Sequence, residues 1–264
     1  MEIRERNFWV TGGSRGIGKA LCEMLADNGA HLTLINRSFE PELMDELKKR
    51  GAGSVRTIAT DLGKREDIEK LLAETDGEVV DCLINNAGQL TGGQLETQSV
   101  VEIYQVVAVN LTAMMHLTRA ILPRMLRQEN GGKIVNNASV SAFMNFPCAS
   151  TYSATKAGVV GFTRSLHAEL KDTKVTTLTL FTPGVETKMF DDISKKYGKN
   201  FDLSFLRGMP PAKYAKIVRE AILEDLKELR PQGFEGLGLN LAQHLPSTFE
   251  KLISFRFKRE GASK

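Results

Sequence analysis

The chain is 264 residues long, 42% apolar and 25% charged, with a formal net charge of +3. That length allows a substantial core, the composition is that of an ordinary soluble protein, and so small a charge on dispersed basic residues argues against nucleic acid as a partner. Three widely separated cysteines, Cys22, Cys82 and Cys148, argue against a disulfide framework and for a reducing, cytoplasmic setting.

The charged start, residues 1–6, leads straight into an apolar strand at 7–11, so no signal segment is expected ahead of the fold. The strand runs into Gly12-Gly13-Ser14-Arg15-Gly16-Ile17-Gly18 and then into a helical pattern with apolar Ile17, Ala20, Leu21, Met24 and Leu25. Strand, glycine-rich turn and helix together make a phosphate cradle. Glycine lets backbone N–H groups approach an anion, and the helix N-terminus favours its charge. A second strand at 31–36 ends in Asn36, Arg37 and Ser38, at the distance where the ribose of a dinucleotide is read. An acidic residue there would bond the 2′-hydroxyl of NAD. Arg37, with Arg15 from the glycine turn, suits a 2′-phosphate instead, and no carboxylate stands at the strand end to repel it. NADP is therefore expected in preference to NAD.

Helices at 41–50 and 65–74 flank a strand at 55–60 that ends at Asp61 and Leu62. An apolar strand at 79–85 is followed by Asn86, Ala87 and Gly88. This alternation predicts a single doubly wound, Rossmann-like α/β fold: a parallel sheet with helices on both faces. Ligands bind such sheets beyond the carboxyl ends of the strands, where these polar and glycine residues fall. Residues 100–126 read as one long or two abutting helices with Asn110 in the middle. Glu102, Gln105, Asn110 and Arg119 interrupt their apolar run, so a helix in a core or subunit interface is expected rather than a membrane span.

A strand at 133–138 delivers Ser139 to the same edge, and the loop after it offers Phe143, Met144, Phe146 and Pro147 as pocket-lining candidates. A helix at 152–171 and a strand at 175–181 follow. Residues 188–211 show no clean period and are expected to form a loop or lid. An amphipathic helix is predicted at 212–229, and a last strand at 234–241, although Gly233, Gly236 and Gly238 weaken it. The basic tail, 249–258, reads as a surface helix closing the fold or as an amphipathic membrane-surface segment. No repeat or linker divides the chain, so one domain, 1–264, is the simplest account.

The chemistry concentrates at Tyr152 and Lys156. Four residues apart on a predicted helix, they share one face. An ammonium beside a phenol favours the phenolate, so a lowered tyrosine pKa is expected. Such a tyrosine can give and take a proton. The four histidines are scattered without ligand spacing, and no metal site is expected.

In these motifs the chain resembles the short-chain dehydrogenase/reductase family over residues 7–187. Thr11 to Gly18 is similar to its cofactor loop, Asn85-Asn86-Ala87-Gly88 to its Asn-Asn-Ala-Gly turn, and Asn110, Ser139, Tyr152 and Lys156 to its catalytic tetrad. The resemblance implies an oxidoreductase that interconverts a carbonyl and an alcohol with NADP(H). Tyr152 would be the general acid and base, Ser139 would hold the substrate oxygen, and Asn110 would carry a water relaying protons through Lys156. Lys156 would also tune Tyr152 and hold the nicotinamide ribose. Coenzyme contacts are implied for Gly12, Ser14, Arg15, Gly16, Ile17 and Gly18; for Arg37, Ser38, Asp61 and Leu62; and for Asn86, Ala87 and Gly88. Tyr152 and Lys156 would touch it as well, with Pro183, Gly184, Val185 and Thr187 closing over the nicotinamide.

The basic C-terminal segment 231–264 departs from the glycine-rich, acidic ending of many members. A homodimer through the 100–126 and 152–171 helices is expected rather than the usual tetramer. The apolar lid and divergent tail suggest a hydrophobic substrate such as a sterol, a retinoid-like compound or a fatty-acyl ketone. Two rival readings use the same cofactor site: a non-catalytic NADP-binding sensor, and an epimerase or dehydratase without net coenzyme turnover.

Overall fold

The computed structural model describes residues 1–38, 41–198, 200–203 and 206–259. Its strands are β1 (Asn7–Thr11), β2 (His31–Asn36), β3 (Ser54–Ala59), β4 (Cys82–Asn85), β5 (Gly132–Asn137), β6 (Val175–Leu180) and β7 (Glu228–Leu229). They form one seven-stranded parallel sheet in the order β3-β2-β1-β4-β5-β6-β7. The direction of winding reverses between β1 and β4, which opens a crevice at their carboxyl ends.

Strand periodicity sorts side chains to the two faces. Phe8 and Val10 join a core with α1 (Gly16–Asp27), α2 (Pro41–Arg50) and α8 (Pro211–Leu223). Trp9, between them, points into the opposite core with α3 (Arg65–Glu74), α5 (Ala113–Arg127) and α6 (Ser150–Glu169). A third apolar cluster lies beyond the sheet edge, where the loop after β5 meets α7 (Lys188–Tyr197), α9 (Gly233–His244) and α10 (Pro246–Ser254).

The stretch Val100–Arg127 has the length and hydropathy of a membrane span, but Val106, Ala113, Leu117, Ile121 and Met125 bury its inner face in the fold. It is a continuous helix in which α4 (Val100–Val107) and α5 are joined by a π turn, Ala108–Thr112. A π turn inserts an extra residue, and Asn110 sits inside it.

Four expectations change. Within 79–85 only Cys82–Asn85 pairs as a strand, because Val79 is exposed and the Asp81 carboxylate caps the Asn7 N–H. Residues 188–197, expected to be a loop, form α7, with Thr187 capping its first turn. The predicted 212–229 helix stops at Leu223, and Glu228–Leu229 becomes the edge strand. The stop has a cause in Lys133, which is 1% exposed and pairs with Asp225. Leaving a buried ammonium unpaired costs several kcal/mol. The positive φ of 56° at Asp225 costs only about 1–2 kcal/mol, so the turn wins. Finally, 234–241 lies within a helix rather than a strand. Gly238 lets α9 sit against Met144, where an added Cβ would be 3.1 Å from Cε, and this packing overrides the low helix propensity of glycine.

Candidate active site

A crevice of about 630 Å³ runs along the carboxyl edge of the sheet. One end is walled by the turn after β1. Gly12 and Gly16 adopt φ of +67° and +55°, and a Cβ on Gly18 would stand 1.9 Å from the Gly12 carbonyl oxygen. The turn therefore closes this tightly only with glycine. Its backbone faces the crevice at the N-terminus of α1, an arrangement suited to a pyrophosphate. At the ends of β2 and β3, Asn36 and Thr60 line the crevice, and their Oδ1 and Oγ1 are buried without a hydrogen-bond partner among the described residues. Orphaned acceptors of this kind call for a polar ligand such as a ribose or an adenine. Arg15, Arg37, Ser38, Asp61 and Leu62 line the same end. The Asp61 carboxylate accepts the Gly63 N–H at 2.9 Å, which holds the turn after β3 in place.

A polar seam crosses the middle of the crevice. Thr11 Oγ1 accepts the N–H groups of Asn86 and Ala87, both at 2.9 Å, and Asn86 Nδ2 donates to the carbonyls of Thr11 and Gly12. Asn137 at the end of β5 donates to Asn86 Oδ1 at 2.9 Å. It also accepts from the Thr182 hydroxyl, which pairs with the Tyr214 hydroxyl of α8 at 2.7 Å. Asn137, Thr182 and Tyr214 are absent from the sequence prediction. The available signal is a pair of asparagines, Asn136 and Asn137, closing an otherwise apolar strand.

Beyond the seam, Ser139, Tyr152 and Lys156 reach the crevice. Desolvation pushes the Tyr152 phenol up to about 12, and the nearby Ser139 hydroxyl opposes that rise. The expected lowering by Lys156 does not occur. The Lys156 ammonium lies 5.8 Å from the centre of the Tyr152 ring and donates to the Asn137 carbonyl at 2.7 Å. Burial pulls Lys156 down to about 8.

Asn110 does not line the crevice. Its Oδ1 accepts the Gln89 N–H at 2.8 Å, and its Nδ2 donates to the Gln89 carbonyl and Thr155 Oγ1. Gly88 lies between Asn110 and Lys156: an added Cβ would be 3.5 Å from Asn110 Oδ1 and 3.9 Å from Lys156 Nζ.

The far end is mostly apolar, with Leu90, Val140, Phe146, Met189, Phe190, Ile193, Leu203 and Leu206 in its wall, while α7 also brings Lys188, Asp192 and Lys196 to the crevice. Of the loop candidates only Phe146 faces it, packed on Phe201 and Phe249 at 5.9 and 6.1 Å between ring centres. Phe143 turns away to stack on Phe181 at 5.7 Å. Tyr197 of α7 also lines this end; its hydroxyl donates to the Thr91 carbonyl at 3.0 Å. Its ring rests on Gly92, where a Cβ would be 1.7 Å away. Pro183, Gly184, Val185 and Thr187 close the crevice from the β6 side.

This arrangement puts a glycine-rich turn and Tyr152 on one sheet edge, and the chain is similar to known proteins. The chain is 35% identical over 198 residues to nodulation protein G of Rhizobium meliloti, covering 74% of this chain and 79% of that one. It is 36% identical over 193 residues to the 3-oxoacyl-acyl-carrier-protein reductase of Vibrio cholerae, covering 72% and 77%. A short-chain dehydrogenase from Streptomyces avermitilis superposes with a TM-score of 0.77 at 26% identity, over 95% of this chain and 96% of that one. The short chain dehydrogenase family model matches residues 6–198, a span that holds the glycine cradle, Ser139 and Tyr152, and the chain belongs to the short-chain dehydrogenase family.

Proposed function

We propose that the protein interconverts a carbonyl and an alcohol with NADP(H), on a hydrophobic substrate, with Tyr152 as general acid and base. The observation that carries this reading is the single crevice shared by the glycine cradle and the Ser139–Tyr152 pair. When bound, the coenzyme supplies or accepts a hydride. Gly12, Ser14, Gly16, Ile17 and Gly18 would hold its pyrophosphate, and Asn36, Thr60, Asp61 and Leu62 its adenosine. Arg15 and Arg37 suit a 2′-phosphate: both line the crevice, and the strand end beside them carries neutral Asn36.

In the reduction direction Tyr152 is neutral at working pH, because its pKa lies near 12, and it gives its phenolic proton to the substrate oxygen. Ser139 bonds the same oxygen and steadies the charge that develops on it. Lys156, held by the Asn137 carbonyl at the wall of the crevice, is placed to hold the nicotinamide ribose. Asn110, bonded to Gln89 and Thr155, holds the loop beside Lys156, where a water relaying protons through Lys156 would sit.

The apolar end of the crevice suits a fatty-acyl ketone or another lipophilic carbonyl, in keeping with the 3-oxoacyl reductase among its relatives. A homodimer through α4, α5 and α6 has support in the exposed Val101 (73%) and Tyr104 (75%) on the outer face of α4. Phe249 and Ile253 turn inward, so α10 closes the fold, while Leu252 and Phe255 are left for peripheral membrane contact. Cys22, Cys82 and Cys148, none of them in a disulfide, fit a cytoplasmic protein.

The test is a panel of apolar ketones, acyl thioesters, steroids and retinoids, followed by absorbance of the reduced nicotinamide. NADPH should be consumed well ahead of NADH. Tyr152→Phe should lower turnover by about 10²–10⁴-fold with unfolding unchanged. Full turnover by Tyr152→Phe would sink the mechanism, and coenzyme binding without turnover on any member would favour a sensor. Conversion of substrate without NADPH consumption would favour an epimerase or dehydratase, and equal use of NADH would remove the 2′-phosphate reading.

A further inference from the structure

We propose that Glu235, in the first turn of α9, is a positioning residue for the coenzyme: its carboxylate holds the backbone of the 183–185 turn in place along the crevice. The inference rests on the nicotinamide coenzyme reading above. Glu235 lies outside the matched family region, in the segment read from sequence as a divergent tail.

The turn's backbone groups can be accounted for one by one. The Gly184 carbonyl accepts from the Met209 N–H, and the Glu186 N–H donates to the Met209 carbonyl, both at 3.0 Å. Those bonds hold the turn on the side of residue 209. On the side of α9, the Gly184 N–H donates to Glu235 Oε1 at 3.3 Å. Gly184 is also hemmed in, since an added Cβ would lie 2.4 Å from the Arg207 carbonyl oxygen. With Gly184 clasped from both sides, the turn presents Val185 and Thr187 to the crevice.

The carboxylate is well placed for this. It sits in the first turn of α9, where the helix dipole favours negative charge. A charged acceptor also makes a stronger bond to a backbone N–H than a neutral one. Half-burial raises its pKa, and the bond from Gly184 opposes that rise. The far end of α9 is tied to the same stretch of chain. Arg230 donates to Gln243 Oε1 at 2.9 Å and lies 5.0 Å over the ring of Phe181, the residue before Thr182. Both ends of α9 are thus pinned around residues 181–184, which makes the helix a splint for the turn.

Glu235→Ala and Glu235→Gln are compared with the parent protein. Amide hydrogen exchange of the peptide carrying Gly184, measured without coenzyme, should speed up about tenfold in Glu235→Ala, the size of one such bond. NADPH binding, followed by fluorescence titration, should weaken by a similar factor, on the order of tenfold. Turnover at saturating coenzyme should stay near the parent value, so that the KM for NADPH moves and kcat does not. Glu235→Gln, which keeps an acceptor, should restore most of both effects. Parent-like exchange and binding in Glu235→Ala would overturn the proposal, as would equal losses in the two variants. If the parent itself binds no dinucleotide, the coenzyme reading falls, while the exchange arm still decides whether Glu235 holds the turn.

Discussion

At the nucleotide end of the crevice the wall is made of backbone and short polar side chains. Gly18 lies against the Gly12 carbonyl, Thr11 Oγ1 takes two N–H groups, and Asn86 bridges the ends of β1 and β4. At the substrate end the wall is made of long apolar side chains from several elements, among them Phe146, Met189, Phe190, Ile193 and Leu206. The first wall is directional, and each hydrogen bond has one geometry that works. The second is non-directional: its attraction scales with area, and neighbours can share the loss of one member. Single changes at the nucleotide end should therefore abolish function, whereas those at the substrate end should retune it.

Gly18→Ala is the sharpest test of that contrast. The new methyl would meet the Gly12 oxygen at 1.9 Å and Asn86 Nδ2 at 2.6 Å, so backbone has to move. Overpacking of this kind costs about 1–3 kcal/mol of stability. The distorted cradle should weaken NADPH binding on the order of 100-fold in a fluorescence titration. Near-parent affinity in a folded Gly18→Ala protein would show that the cradle is not the rigid wall described.

The same contrast explains what could be read in advance. Glycines at positive φ, polar residues at strand ends and the Tyr152–Lys156 spacing are local signals, because each residue type is demanded by its own backbone or chemistry. They located the first six strands, the cradle and the edge on which the crevice opens. The substrate end depends on packing between distant segments. Residues 188–197 carry Met189, Phe190, Ile193 and Tyr197 at helical spacing, a legible pattern obscured by the charged residues around it. The three glycines at 233, 236 and 238 argue locally against a helix, and only the close approach of Gly238 to Met144 accounts for α9. Lys156 shows the same limit, since its spacing from Tyr152 is right while its partner, the Asn137 carbonyl, belongs to a different strand.

Lys156 stands where the two ends meet and gives the next largest effect. Its pKa falls from 10.5 to about 8 because a buried ammonium has lost its water. Below pH 8 both folded and unfolded chains carry the proton, and the burial penalty is felt in full. Between about 8 and 10.5 the unfolded chain keeps a proton that the folded one has released, so Lys156 by itself adds stability with rising pH through that window. Buried Cys22 and Cys82, both raised from 9.0, work the other way above about pH 9, and Tyr152, raised from 10.0 to about 12, does so above pH 10, so the rise is read as the difference between the parent and Lys156→Met. Lys156→Met should remove the rise, and at pH 7 the variant should gain up to about 3 kcal/mol in urea unfolding. Turnover should fall on the order of 100-fold, since the nicotinamide ribose loses the ammonium that positions it. Identical stability profiles from pH 7 to 10 would contradict a charged, buried Lys156.

The smallest effect belongs to the apolar end, and it decides whether the two ends are separable. Phe146→Ala removes one ring from a wall that still includes Leu90, Met189, Ile193 and Leu203. The lost contact area corresponds to roughly 1–1.5 kcal/mol for a bound apolar chain, about a tenfold rise in the KM of a long-chain ketone. The change in kcat should be slight, because Tyr152 and Ser139 are left in place, and the KM for NADPH should not move. Phe146 also packs on Phe201 and Phe249, so a modest loss of thermal stability should accompany the change without altering that ratio. Steady-state kinetics with a short and a long ketone gives the answer. If KM rises for the long ketone alone, the wall acts by area, contact by contact. If the KM for NADPH rises in parallel, strain at the substrate end reaches the cradle, and the two walls work as one.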